Sequence, residues 1–189
     1  MRSALIIALT LSVVEGCSAP APKPAGPARV VAVLPLANES IDVEAPAKVR
    51  AVLAKRLQDK GYTVFDPGKL DQILREKYGV TDGGQLRVVT ADKLHWEIPA
   101  DLYCYGTVKD YNFKSAVGLS QRKVEVAVRV ADAKGGVLYE ADETGITTKA
   151  GVDAAGDLAF NVVGRLVRSG DLTQETRDAV DKVLSKFPR

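Results

Sequence analysis

From Arg29 onward the apolar residues recur in a pattern that switches between continuous, helical and alternating runs, and each switch marks an element. Arg29 to Leu36, RVVAVLPL, is a continuous run rich in β-branched residues and predicts a central strand covered on both faces. After a polar loop, Ala37 to Ser40, the positions Val49, Val52, Leu53 and Leu57 follow helical spacing. They predict a helix from about Glu44 to Lys60, with Pro46 tolerated in its first turn and Gly61 as its stop. Tyr62 to Phe65 predicts a short second strand. Asp66-Pro67 then starts a helix, the carboxylate capping free amides, with Leu70, Ile73, Leu74 and Tyr78 on one face and Gly79 at its end. Val80 to Val89 reads as a loop or frayed connector. Thr90 is expected to cap a shorter helix through Glu97, with Leu94 and Ile98 turned inward and Pro99 forbidding continuation.

The period then becomes two. Asp101 to Val108 predicts a third strand that runs on toward Ala116, turns near Gly118 and returns as Arg122 to Ala131. There Val124, Val126, Val128 and Val130 alternate with Glu125, Ala127 and Arg129, which marks one buried and one wetter face. Asp132 to Gly136 makes a tight turn into a last strand, Val137 to about Thr147, and the two long strands form a hairpin at the edge of the sheet. Two closing helices are expected. The first, from about Asp153, has the core face Leu158, Val162, Val163 and Leu166; the second has Val180, Val183, Leu184 and Phe187. A break at Ser169-Gly170, with Asp171 or Thr173 as a new cap, makes them a helical hairpin over one face of the sheet. The expected architecture is α/β (α+β), a single domain over 29–189 with a mixed sheet of about five strands and helices packed on it.

The N-terminal region follows other rules. Met1 and Arg2 give a positive start, and Ala4 to Val14 is an apolar run too short for a finished transmembrane helix, which needs roughly 20 residues. Ending at Gly16-Cys17, it resembles a bacterial lipoprotein signal, which implies acylation of Cys17 and a signal peptide over 1–16. Glu15 departs from that motif, which usually has a small or apolar residue there. Ser18 to Ala28, with four prolines and no large apolar side chain, reads as an extended spacer, so 17–28 is a lipidated cysteine and tether.

Charge and composition narrow the function. The chain has 26 basic and 24 acidic side chains for a net +2, interleaved along its length, which argues against a nucleic-acid partner. Its two cysteines are Cys17 and Cys104; with Cys17 acylated, Cys104 has no intramolecular partner and reads as a buried thiol. The one histidine, His95, lies in no nucleophile or base context, and one histidine with one thiol cannot fill a four-ligand metal shell. Asp82-Gly83-Gly84 lacks phosphate-loop spacing, and Glu140, Asp142 and Glu143 lack a calcium-loop pattern. No catalytic residue, metal site or cofactor is expected. Tyr103, Tyr105, Tyr111 and Phe113 recur at odd positions and are expected to share one face, either in the core or as an exposed stripe for a partner. The stripe at the open hairpin edge, with Tyr111 and Phe113, is the candidate partner surface.

The order VVAVLPLANES, GYTVF, LDQILREKYGVTD, ADKLHWEIPADLYCYGTV and VEVAVRVADAKGGVLYE, over about Val30 to Thr148, resembles a family of bacterial lipoproteins of unknown function known mostly as outer-membrane or surface lipoprotein antigens. The resemblance implies a fold like the N-terminal domain of the periplasmic TolB protein and supplies no catalytic residues. The C-terminal region departs from some relatives in lacking a Gly-rich apolar stretch. The topology is more distantly similar to the curli secretion lipoprotein and to the lipoprotein activator of penicillin-binding proteins. A self-made pore is not expected, because a membrane hairpin needs strands of roughly 9–11 residues and Tyr111 to Gln121 is too brief, while Asp142 to Gly151 is too polar. The spacer is also short for an activator that reaches through the cell wall.

Together these readings predict a lipid-anchored, non-enzymatic lipoprotein of the cell envelope, a protein-binding accessory subunit of a transport or secretion assembly. Its membrane contact runs through the lipid on Cys17, its partners are other envelope proteins, and a homo-oligomer is one form that partnership takes. Ser18, where enteric inner-membrane lipoproteins carry aspartate, directs the expectation to the outer membrane, facing the periplasm. Activation of a peptidoglycan-synthesis enzyme or binding of a small ligand is the alternative.

Overall fold

The computed structural model describes residues 29–116, 119–150 and 172–187. In chain order the elements are β1 (Val30–Val33), β2 (Ala37–Asn38), α1 (Ala45–Asp59), β3 (Thr63–Val64), α2 (Pro67–Tyr78), a 3-10 helix (Gly83–Val88), α3 (Ala91–His95), β4 (Leu102–Ala116), β5 (Leu119–Asp132), β6 (Val137–Ala150) and α4 (Thr173–Ser185). The strands form one mixed, open sheet in the order β3-β1-β4-β5-β6, with β2 pairing β4. β1 runs parallel to β3 and β4, whereas β4, β5 and β6 are antiparallel neighbours. The sixth strand is the two-residue β2, in a stretch whose polar composition reads as loop; it pairs with Thr107 and Val108.

Helices cover both faces of the sheet, and β1 shows why its sequence is continuously apolar. Val31 and Val33 join one core and Ala32 and Leu34 the other, and none of them is more than 1% exposed. The first core lies under α1 and α4. α1 buries Ala45, Val49, Leu53 and Leu57, and α4 buries Val180, Val183 and Leu184. Phe187 closes this layer between the rings of Tyr62 and Tyr139, at centroid distances of 5.4 and 5.2 Å. The second core, on the opposite face, holds Leu70 and Leu74 of α2, Leu86 of the 3-10 helix, and Leu94 and Ile98.

Local chemistry sets the ends of α2 as its sequence predicts. The Asp66 carboxylate accepts the Lys69 amide at 2.7 Å, and Gly79 adopts φ +65° so that the amides of Gly79 and Val80 return to the carbonyls of Arg75 and Leu74. Val80 to Val89 is more ordered than a loop. Asp82 caps the 3-10 helix through the Gly84 amide, and the Gln85 carboxamide oxygen accepts the amides of Thr81 and Asp82. α3 ends at His95, short of the expected Glu97, and the Thr90 side chain makes no cap hydrogen bond there.

The β5–β6 turn forms where expected. Asp132 Oδ1 accepts the amides of Lys134 and Gly136 at 2.9 and 2.8 Å, and Gly135 sits at φ +86°. α4 starts at Thr173 with Leu172 as its N-cap, so Thr173 is the first residue of the helix and not its cap. The other expected C-terminal helix, from Asp153 with Leu158, Val162, Val163 and Leu166, lies outside the described residues, as do Asp171 and Cys17.

Candidate functional site

β4, β5 and β6 form a long ribbon, and a single residue changes which way β4 faces along it. Leu102, Cys104 and Val108 belong to the core under α1 and α4, and Tyr103 and Tyr105 to the core under α2 and α3. The β4–β5 register then slips between Val108 and Asp110, so that Lys109 is a bulge and Tyr111 joins the α1/α4 core. The aromatic residues therefore do not share one face. An extra residue reverses the odd–even alternation, and sequence spacing alone does not reveal it.

The structure places the two candidate partner residues differently. Tyr111 is only 4% exposed; the Lys48 ammonium lies 5.7 Å from its ring centre, and burial raises its phenol pKa against an opposing hydrogen bond with Thr176. Phe113 is half-buried one turn of the pleat further on, with the Arg122 guanidinium 5.7 Å above its ring. Both lie on the α1/α4 side of the ribbon.

The other side of the ribbon is polar. Beyond Tyr105, uncovered by α2 or α3, it forms one wall of an open groove of about 740 Å³ whose residues include Gly83, Tyr105, Lys109, Arg129, Glu140 and Asp142. Cross-strand pairing sets the charges in rows: Tyr105 opposite Arg129 opposite Glu140, and Thr107 opposite Ala127 opposite Asp142. The Arg129 guanidinium lies 4.7 Å over the Tyr105 ring, and Lys109 pairs with Asp142. Further along, Lys123 bridges Asp110 and Glu125 at 3.3 and 2.6 Å. Burial pushes the Tyr105 phenol up to about 12, so it stays a neutral donor, here to the Val89 carbonyl at 3.2 Å.

A smaller hollow of about 330 Å³ lies at the carboxyl end of β1, lined by Pro35, Val43, Pro46, Arg50 and Asp82. Gly83 borders both hollows and packs so tightly that a Cβ there would overlap the Leu36 backbone. The cation in the smaller hollow is already engaged. Arg50 donates to the Val33 carbonyl at 3.0 Å and makes a bidentate pair with Asp71 at 2.8 Å.

The remaining chemical candidates have structural roles. Cys104 is fully buried, and desolvation pushes its thiol up to about 12. His95 Nδ1 lies 3.0 Å from the Tyr103 hydroxyl and 3.2 Å from the Ala100 carbonyl; Tyr103 donates its own proton to Ile98 at 2.5 Å. His95 Nδ1 must therefore carry the hydrogen, and the imidazole fastens the turn between α3 and β4. Asp142 faces the groove while Glu143, the next residue, pairs with Val126 of the opposite core. Among the described residues no group of His, Cys, Asp and Glu is placed to hold a metal ion, and no helix is long and apolar enough to cross a membrane.

Comparison with known proteins gives a consistent picture. A Neisseria meningitidis serogroup B (strain MC58) protein named "Putative lipoprotein NMB1124/NMB1162" is 31% identical over 114 residues, 60% of this chain and 52% of the relative; the chain thus spans about half the length of that curated relative. The crystal structure of lipoprotein GNA1162 from Neisseria meningitidis superposes with a TM-score of 0.58 at 26% identity, covering 75% of this chain and 99% of that one. A PelC dodecamer from Paraburkholderia phytofirmans shares the fold, with a TM-score of 0.52 at 19% identity over 85% of this chain and 93% of that one. A family model described as "Putative lipoprotein GNA1162-like" matches residues 21–184, most of the chain, and this chain belongs to that family.

Proposed function

We propose that this chain is a lipid-anchored envelope protein without catalytic activity, which binds other envelope proteins as an accessory subunit of a transport or secretion assembly at the periplasmic face of the outer membrane. The family match and the Gly16-Cys17 signal support the anchor. The observation that carries the binding role is the outer edge of β6. Its 14 residues pair with β5 on one side and with no strand on the other among the described residues.

β4 is open in the same way beyond Val108, where its pairing with β2 ends. A ribbon with two edges open among the described residues offers rows of backbone donors and acceptors to an added strand. Half-exposed Leu119 and Ile146 supply apolar contact near its tip. We place partner contact at this edge and at Phe113, with Tyr111 behind as buried support. A second copy of the chain is the first partner to test, since the PelC relative of this fold is a dodecamer. The charged groove beside Tyr105 favours a second reading, binding of a small ligand with both acidic and basic groups.

The test is photo-crosslinking in living cells from Ile146, at the β6 edge, and from Lys55, on the exposed side of α1. Capture of a defined envelope protein, or of a second copy, from Ile146 alone supports the reading. The same catch from both positions would remove the β6 edge as the binding surface. Repeating the capture with Cys17→Ser separates the need for the anchor from the need for the edge.

A further inference from the structure

Apolar side chains and the entry of the tether meet at one end of the sheet. β1 and β4 both begin there, and β5 hands over to β6 there, because Val31 pairs with Leu102 and Leu102 with Asp132. Trp96 lies in the connection from α3 into this end and is 89% exposed. Val137 and Leu138, each 53% exposed, open β6 at the same end. Such exposure is costly for an indole in water, whereas the headgroup region of a bilayer suits its apolar body and polar N–H.

Trp96 is held in that position by its neighbours. The bonds of His95 to the Ala100 carbonyl and of Tyr103 to the Ile98 carbonyl fasten the chain on either side and leave the indole outside. The charges nearby balance, so the apolar side chains and the indole carry the preference for a lipid surface. The acids are engaged: Asp101 Oδ2 accepts the Val30 amide at 2.7 Å, Asp132 holds its turn, and Glu97 lies 3.9 Å from Lys77. Arg29, Lys93 and Lys134 offset the charges of Asp92, Asp101 and Asp132, and Asp92 is held by Thr90 and by the Lys93 charge. The spacer expected from Cys17 to Ala28 reaches a few tens of ångströms at about 3.1 Å per residue and joins the domain at Arg29, at this same end.

We infer that this end of the domain docks on the phospholipid bilayer that holds the anchor, with Trp96 in the headgroup layer and Val137 and Leu138 beside it. The inference rests on the reading of Cys17 as an acylated tether, which keeps this end within a few tens of ångströms of the bilayer at about 3.1 Å per residue. The domain then sits on the membrane by one end, with the far end of the ribbon held away from it.

Trp96 is the one tryptophan of the chain, so its fluorescence reports this contact directly. The full-length acylated protein is placed in vesicles of phosphatidylethanolamine and phosphatidylglycerol, with and without bromine on the acyl chains. Docking shifts the emission to shorter wavelength and lets the bromines remove about half of it or more. Val137→Asp with Leu138→Asp abolishes the shift while flotation with vesicles and the circular dichroism spectrum persist. Flotation with unquenched, solvent-like emission overturns the docking and leaves the tether standing. A Cys17 without acyl chains by mass spectrometry overturns the tether reading. A shift that grows with protein concentration and needs no vesicles makes a second copy the occupant and overturns the docking.

Discussion

Gly145 of β6 and the Glu175 carbonyl of α4 meet backbone to backbone: a Cβ on Gly145 would overlap that oxygen and lie 3.0 Å from the Ala179 amide nitrogen. Gly145 stands on the rung shared with Val124 and Tyr111, so this contact seats α4 on the ribbon over the candidate site.

Gly145→Ala should therefore force α4 off the sheet and cost about 2–4 kcal/mol in urea denaturation. Gly79→Ala makes the contrast, because its left-handed φ of +65° is strained but nothing lies within 4 Å; it should cost about 1 kcal/mol. Equal losses would mean that packing at Gly145 is not the controlling contact.

Deleting Lys109 removes the bulge and turns Tyr111 away from the α1/α4 core, whereas Lys109→Ala removes only an exposed ion pair with Asp142. Deletion should abolish the cooperative unfolding transition, and the substitution should shift stability by less than about 1 kcal/mol. Similar behaviour of the two variants would show that the strand tolerates either parity.

Burial pushes Cys104, Tyr103 and Tyr105 up to about 12 from ordinary values of 9.0 and 10.0. Below about pH 9 these groups are protonated in both folded and unfolded chains, and their contribution to stability is fully present. As the pH rises, the unfolded chain ionises first, so stability should fall steadily toward about pH 12. Urea midpoints measured from about pH 8 to about pH 11 should decline, and a flat profile would contradict the burial of these groups.

A thiol this deeply buried should also be inert. In the Cys17→Ser protein, Cys104 should not react with a thiol reagent at about pH 8 until denaturant is added, and should then react fully. Prompt labelling of the folded protein would show that the β1–β4 core opens readily.

Where local chemistry decides the structure, the sequence is easy to read. Asp66-Pro67 and Gly79 bound α2, Asp132 and Gly135 build the hairpin turn, and the apolar run Val30 to Leu34 is covered on both faces. What escapes a sequence reading depends on distant partners. Ala37 and Asn38 become a strand only because Thr107 and Val108 present a free edge, and the Lys109 bulge is visible only in the register with β5. The candidate site suffers most from this. Tyr111 and Phe113 have matching spacing, yet α4 and Lys48 cover Tyr111 and leave Phe113 half-buried. The groove at Tyr105 has no sequence signature, since its residues come from the 3-10 helix, four strands and the link after β1.

The two-way hydrogen bonding of Val30 and Asp101, with the Val30 amide on the Asp101 carboxylate and the Asp101 amide on the Val30 carbonyl, has a mechanical consequence. Any force transmitted through the chain at Arg29 enters β1, which lies between parallel β3 and β4. A load along the strand shears both ladders together and cannot peel one bond at a time. A pull applied at Arg29 therefore meets the shear resistance of two ladders before it reaches the ribbon.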